Sequence, residues 1–322
     1  MGSQLTNGID QHLPQVYALL EDELPAPDLG GSYGQALRAV LSATQSAEKT
    51  QTFPFTLLPL LACQMGGGDL SRAIPVAAAW RALHIAAKLL DDVEDGDVGS
   101  FSSTNIDLPR IVNLATGYMT MANMVLGRLA DDQDPTLWPS LHRDFGATIL
   151  RMAAGQHVDL DATAAPDLGA YVQLVEAKSG CFFALATRAG ARCATTETSV
   201  LSVYSAFGHN LGILIQLADD LQELHAPLSQ GIPFQSRYTL PVVYGLTVAS
   251  PPEREKLNGW LTRANAGDGE AAELARQLMV SLGAEVYTQA EIVRFRRRAQ
   301  AFCMQMESDG LGQVLQNLLA RF

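Results

Sequence analysis

Apolar residues return every three to four positions through nearly the whole chain, and no stretch sustains the two-residue alternation of a half-buried strand. The spacing predicts an all-α fold, with helices over about 33–47, 55–65, 72–95, 108–130, 137–161, 168–190, 197–224, 236–248, 253–264, 269–282, 285–306 and 309–321. Breaks are expected at Gly66 to Gly68, Asp134-Pro135, Ala165-Pro166 and Pro251-Pro252, because proline removes a backbone donor and glycine weakens a helix by ~1 kcal/mol relative to alanine. No Gly/Ser-rich or Pro-rich linker and no repeat of fixed period divides the pattern. One domain over residues 1–322 is expected, with 1–30 as a poorly packed N-terminal extension.

Two of the helices, about 72–90 and 200–218, are apolar around most of their circumference, which suits the middle of a bundle. Both run into carboxylate clusters, and buried acids are rare unless paired or bound to a metal. The first cluster is Asp91-Asp92-Val93-Glu94-Asp95, in which Asp91 and Asp95 lie one turn apart on the same face. In the second, Gly212, Gln216, Asp219, Asp220 and Glu223 form a single stripe, glycine at one end and acids at the other. Like charges one turn apart repel, so each cluster calls for a cation. Magnesium combines one or two carboxylates with water and phosphate oxygens. The expected donors are therefore Asp91, Asp92, Asp95, Asp219, Asp220 and Glu223, holding several Mg2+ ions and, through them, a diphosphate. Asp131-Asp132-Gln133-Asp134 has the wrong spacing and runs into Pro135, so it is set aside.

Charge narrows the partners. With 34 acidic against 22 basic side chains among 322 residues, the net charge of −12 argues against nucleic acid or an anionic membrane. The one basic run, Arg294 with Arg296 to Arg298, reads as a solvated helix face. Cys63, Cys181, Cys193 and Cys303 are scattered, as expected of reduced thiols in a cytoplasmic protein. The N-terminus lacks a secretory pattern, and no uncharged apolar run reaches the ~18 residues of a membrane helix, so no transmembrane segment is expected.

From about residue 54 to 245 the chain resembles the trans-isoprenyl diphosphate synthases, the family of farnesyl and geranylgeranyl diphosphate synthases. Asp91, Asp92 and Asp95 match that family's first aspartate-rich motif, with Leu83, His84 and Ala86 in the helix leading into it. Gly155, Gln156 and Asp159 match a glycine-glutamine-x-x-aspartate segment, and Lys178-Ser179-Gly180 looks like its lysine-threonine-glycine, followed by Phe182 and Phe183. Gly208, Gly212, Gln216, Asp219, Asp220 and Glu223 match the second motif, Glu223 replacing the usual last aspartate, and Arg237, Thr239 and Pro241 resemble the segment after it. The resemblance implies a helical bundle of the isoprenoid-synthase type with a central active-site cavity, a homodimer, and an allylic prenyl diphosphate bound by Lys178, Ser179, Gln216 and Arg237. Ala86 and Ala87, with Phe182 and Phe183, would line that cavity, and the small alanines suggest a tail of fifteen to twenty carbons.

The departures bear on the reaction. The family fixes a second diphosphate, that of isopentenyl diphosphate, with a lysine and arginine ahead of the first motif and an arginine pair after it. Here Lys49 to Phe55 contains no arginine and Gly96 to Ile106 no basic residue, although bidentate arginine is the usual means of holding a diphosphate. His84 stands where the family has a histidine at that site, and a buried histidine with a local partner explains it equally well. Lys88 lies one turn from Asp92, either as an ion pair or as a diphosphate contact. Taken literally, the losses imply that one prenyl diphosphate is ionised and its cation cyclised, deprotonated or quenched by water, as in a class I terpene synthase. The alternative is a prenyltransferase that condenses the substrate with isopentenyl diphosphate. A third reading, a non-catalytic subunit, has no reason to keep two acidic clusters.

Overall fold

The computed structural model describes residues 8–25, 31–51, 53–94, 107–161, 165–230, 234, 238–306 and 311–322. It is all-α, and among the described residues there is no strand. The helices are α1 (Leu13–Asp22), α2 (Ser32–Lys49), α3 (Leu58–Met65), α4 (Leu70–Glu94), α5 (Leu108–Gly127), α6 (Leu137–Asp161), α7 (Leu168–Val175), α8 (Cys181–Arg192), α9 (Thr198–His225), α10 (Leu240–Val248), α11 (Pro251–Asn265), α12 (Gly269–Ser281), α13 (Ala284–Cys303) and α14 (Leu311–Leu319).

Two segments depart from the expected pattern and a third refines it. Helix α1 lies inside the stretch expected to be a loose extension, yet it buries Val16, Tyr17 and Leu20, and Tyr17 Oη donates to Glu48 Oε2 at 2.6 Å. The break expected at Pro251-Pro252 falls just ahead of them, between Val248 and Pro251, and the two prolines start the next helix. They occupy its first positions, where the missing N–H has no helical partner to lose, behind a capping box of Ser250 and Glu253. The helix expected over 168–190 is interrupted by a π-helical turn, Glu176–Gly180, between α7 and α8. Such turns are rare and concentrate at functional sites.

The chain divides into two compact units. The first comprises Met1–Thr148, Ala184–Ala206 and Phe302–Arg321, and the second Ile149–Phe183, Phe207–Ala301 and Phe322. In the first, α4 packs along α5, with Trp80 and Tyr118 fully buried and Tyr118 Oη donating to the Leu37 carbonyl at 2.6 Å. Asp132, set aside as a metal donor, is instead held by both Arg72 Nε and Nη2, at 2.9 and 2.7 Å. In the second unit, Leu224, Phe234, Val242, Leu246, Leu257 and Met279 form the core among the end of α9 and helices α10 to α12. By length and composition α4 and α9 could each cross a bilayer, but 72% and 56% of their apolar windows are buried within the protein, as in the core helices of a bundle. All four cysteines are free and buried.

Candidate active site

In the first unit the candidate residues stand on α4. Asp91 is half-buried near its C-terminal end, and Asp92 is buried and paired with Lys88 Nζ at 2.7 Å. Lys88 therefore makes the helix ion pair that its spacing allowed. Ala86 is fully buried and Ala87 half-buried, while Asp95 lies outside the described residues. One turn and more before the acids is a polar cluster in apolar surroundings. Glu48, 2% exposed, accepts from Tyr17 Oη and Thr56 Oγ1 at 2.6 Å each, and Arg81 Nη1 stands 3.6 Å from its Oε1. The same Arg81 nitrogen lies 2.9 Å from His84 Nδ1. Arginine has only donors, so Nδ1 accepts and the imidazole proton sits on Nε2.

Burial, with the Arg81 and Lys88 charges adding to it, pushes the His84 pKa down to about 3. His84 is thus a neutral imidazole with a local partner. Because this folded value lies below the ~6.5 of an unfolded histidine, the unfolded chain takes up the proton first as pH falls. The stability is complete above about pH 6.5 and is lost as pH drops toward 3, by ~2 kcal/mol at pH 5. Urea unfolding of wild type and His84→Gln at pH 7.5 and pH 5 should show the difference between the two proteins changing by that amount. A difference independent of pH would mean that His84 titrates normally.

The second unit gathers most of the remaining candidates. A Cβ on Gly155 would sit 2.9 Å from the Ala177 side chain, so glycine there lets the π-helical turn lie against α6. One helical turn further along α6, Asp159 Oδ2 accepts from Lys178 Nζ at 2.9 Å. On the other side of the turn, a Cβ on Gly212 of α9 would overlap the Ser179 carbonyl oxygen. This approach lets Ser179 Oγ donate to Gln216 Oε1 at 3.0 Å, and Gln216 Nε2 donates in turn to Asp220 Oδ1 at 3.1 Å. Phe182 and Phe183 follow, buried and edge to face with ring centroids 5.7 Å apart, and Gln156 is half-buried on α6. Arg237 lies outside the described residues.

The acids of α9 divide by environment. Asp219 is exposed and Glu223 half-buried, with Glu223 Oε1 accepting the Phe234 N–H at 2.8 Å. Asp220 is 4% exposed, and its Oδ2 accepts both the Tyr171 hydroxyl and the Leu240 N–H, the latter at 2.6 Å. Burial pushes the Asp220 carboxyl up, against the hydrogen bonds that favour its charge, and burial beside that carboxylate also pushes the Tyr171 phenol well up.

Among the described residues no group of three or more His, Cys, Asp or Glu side chains converges to hold a metal unaided. A hard ion that takes only one or two carboxylates and completes its shell with water and phosphate oxygens needs no such group. The carboxylates of Asp91, and of Asp219 with Glu223, fit that kind of ion. Sequence reasoning missed Tyr171, Arg81 and Glu48. Arg81 could have been suspected as a lone cation in the apolar run Val76 to Ile85, whereas Tyr17 lies 31 positions from Glu48 and Asp220 lies 49 from Tyr171.

The model of the family described as Polyprenyl synthetase matches residues 55–278. The chain is 26% identical over 252 residues to heptaprenyl diphosphate synthase component 2 of Geobacillus stearothermophilus, covering 73% of this chain and 76% of that one. Its fold is that of geranylgeranyl pyrophosphate synthetase from Pyrococcus horikoshii Ot3, with a TM-score of 0.85 at 17% identity over 99% of this chain and 97% of that one. It is likewise that of a polyprenyl synthase from Caulobacter crescentus CB15 complexed with calcium and isoprenyl diphosphate, with a TM-score of 0.83 at 19% identity over 99% and 96% of the two chains.

Proposed function

The chain belongs to the polyprenyl synthetase family, an enzyme family of the isoprenyl diphosphate synthase superfamily, and from that premise we propose that it is a prenyltransferase. It joins an allylic prenyl diphosphate, with a tail of fifteen to twenty carbons, to isopentenyl diphosphate with the help of Mg2+. The observation that carries the reading is the group of Lys178, Ser179 and Gln216 drawn together by the close approach of the π-helical turn to α9, alongside the acids Asp219 and Glu223. It offers a cation and the Gln216 amide to a diphosphate and carboxylates to a hard ion. When bound, Mg2+ would supply positive charge to the departing diphosphate. Within the second unit Asp219 and Glu223 would hold it, Asp91 offers a donor of the same kind on the first unit, and Lys178 would meet the diphosphate oxygens while Asp159 keeps its ammonium in place.

The names of the matched relatives support condensation over ionisation alone, since they describe heptaprenyl and geranylgeranyl diphosphate synthases. They replace the terpene-synthase-like reaction as the favoured reading. One observation still favours the latter: where the family has the cations for a second diphosphate, this chain has exposed Lys49 and buried Phe53. A homodimer is proposed on the family resemblance.

The test is incubation with ten-, fifteen- and twenty-carbon allylic diphosphates and Mg2+, with and without isopentenyl diphosphate, followed by product mass. The expected product is a diphosphate longer by one or more five-carbon units, formed only when isopentenyl diphosphate is present. A hydrocarbon or alcohol formed without it would overturn the reading in favour of a lyase.

A further inference from the structure

Four side chains of the second unit form a continuous hydrogen-bonded chain: Tyr171, Asp220, Gln216 and Ser179. Its polarity follows from what each group can do. An ionised carboxylate only accepts, and a backbone N–H only donates. Asp220 Oδ2 accepts from the Tyr171 hydroxyl and the Leu240 N–H, and its Oδ1 accepts from Gln216 Nε2. Gln216 turns Nε2 toward Asp220 Oδ1 and Oε1 toward Ser179. The amide orientation follows from the acid beside it and needs no arbitrary choice between oxygen and nitrogen. Ser179, facing Oε1, commits its proton to Gln216 and presents lone pairs elsewhere.

We infer that Asp220 is a positioning residue and not a metal donor: held by Tyr171 and the Leu240 N–H, it acts through Gln216 to set which groups of Gln216 and Ser179 face the diphosphate. Asp219 is one residue away, about 100° round the helix, and it is exposed where Asp220 is buried at 4% exposure. The adjacent aspartates thus do different work. An anionic phosphate oxygen needs donors. Lys178 and the second hydrogen of Gln216 Nε2 supply them, whereas Ser179 does not while the chain is intact. Turning the Gln216 amide over would set Oε1 against the Asp220 carboxylate, two acceptors face to face, which is costly in a buried site.

The inference rests on the reading of Asp219 as a metal donor, and the experiment separates the two. Mn2+ is titrated into the full-length protein with inorganic pyrophosphate present, and free ion is followed by electron paramagnetic resonance. Asp219→Asn should weaken Mn2+ binding more than ~10-fold, while Asp220→Asn changes it less than ~2-fold. The amide introduced at 220 keeps its oxygen on Tyr171 and Leu240, turns its NH2 toward Gln216 and forces that side chain over. Oε1 then replaces the Nε2 hydrogen offered to the diphosphate, a loss that outweighs the Ser179 proton set free. KM for the allylic diphosphate should therefore rise ~10-fold with kcat changed less than ~3-fold, a split that a merely structural role would not produce. Tyr171→Phe is the gentler second variant, with unchanged Mn2+ binding and a ~3-fold rise in KM. Equal loss of Mn2+ in Asp220→Asn and Asp219→Asn would make Asp220 a ligand and overturn the inference. So would a lowered Tm with KM unchanged in both Asp220→Asn and Tyr171→Phe. Undiminished Mn2+ binding in Asp219→Asn would instead sink the metal-site reading, leaving the KM arm to judge the hydrogen-bonded chain.

Discussion

Asp219→Ala and Asp91→Ala are each expected to lower kcat by ~10²–10³-fold or more, with helical content and Tm close to wild type. The two acids belong to different clusters, and each is among the less buried carboxylates of its own. Truncation therefore removes little packing. It also thins a row of like charges, which by itself stabilises a helix slightly. On the proposed reading, what is lost is a hard oxygen donor where the reaction builds negative charge on the leaving group, and that loss falls on the transition state more than on the fold. Asp220→Ala should behave differently, since it strips the acceptor from two buried donors, Tyr171 and the Leu240 N–H. Each orphaned donor costs ~1–3 kcal/mol, so this variant should lose Tm as well as activity. Steady-state rates at several Mg2+ concentrations, with circular dichroism on the same samples, distinguish the cases. Near wild-type kcat in either Asp91→Ala or Asp219→Ala would remove that cluster from the mechanism.

The contrast between Asp219 and Asp220 also marks where sequence reasoning stopped. Periodicity placed both acids on one stripe of a buried helix, and that stripe is there in α9. It could not tell them apart, because the groups that bury Asp220 lie 49 and 20 positions away. Contacts within one turn were legible by contrast: Lys88 with Asp92 needed only the four-residue spacing. The π-helical turn was not legible, since one extra residue in a turn hardly disturbs an apolar pattern. Its signal lay in Gly155 and Gly212, which leave room for that turn on two neighbouring helices. Helix α1 escaped for a similar reason, with three buried residues in ten and a polar partner on another helix. At Pro251-Pro252 the break was legible to within two residues, and the prolines belong to the helix that follows it, well placed at its first turn.

The largest loss of stability is expected from Glu48→Ala, at ~3–5 kcal/mol. Glu48 is 2% exposed and accepts from Tyr17 and Thr56 at 2.6 Å each, while Arg81, 7% exposed, stands 3.6 Å from the same carboxylate. Removing the acid leaves a buried guanidinium without its counter-charge and two buried hydroxyls without their acceptor. Breaking one side of such a group costs far more than exchanging the whole of it for apolar side chains. Glu48→Gln keeps the shape and an acceptor oxygen, so it should cost less than Glu48→Ala. Combining Glu48→Leu with Arg81→Met should recover part of the loss, because the unpaired charge is then gone as well. The effect should also reach α4, since Arg81 is what holds the His84 proton on Nε2. Denaturant unfolding of the three variants, together with long-range proton–nitrogen correlation spectra of His84, measures both consequences. A cost below ~1 kcal/mol for Glu48→Ala, or a His84 tautomer unchanged by Arg81→Met, would show that water or a rearranged neighbour already does what the ion pair is credited with.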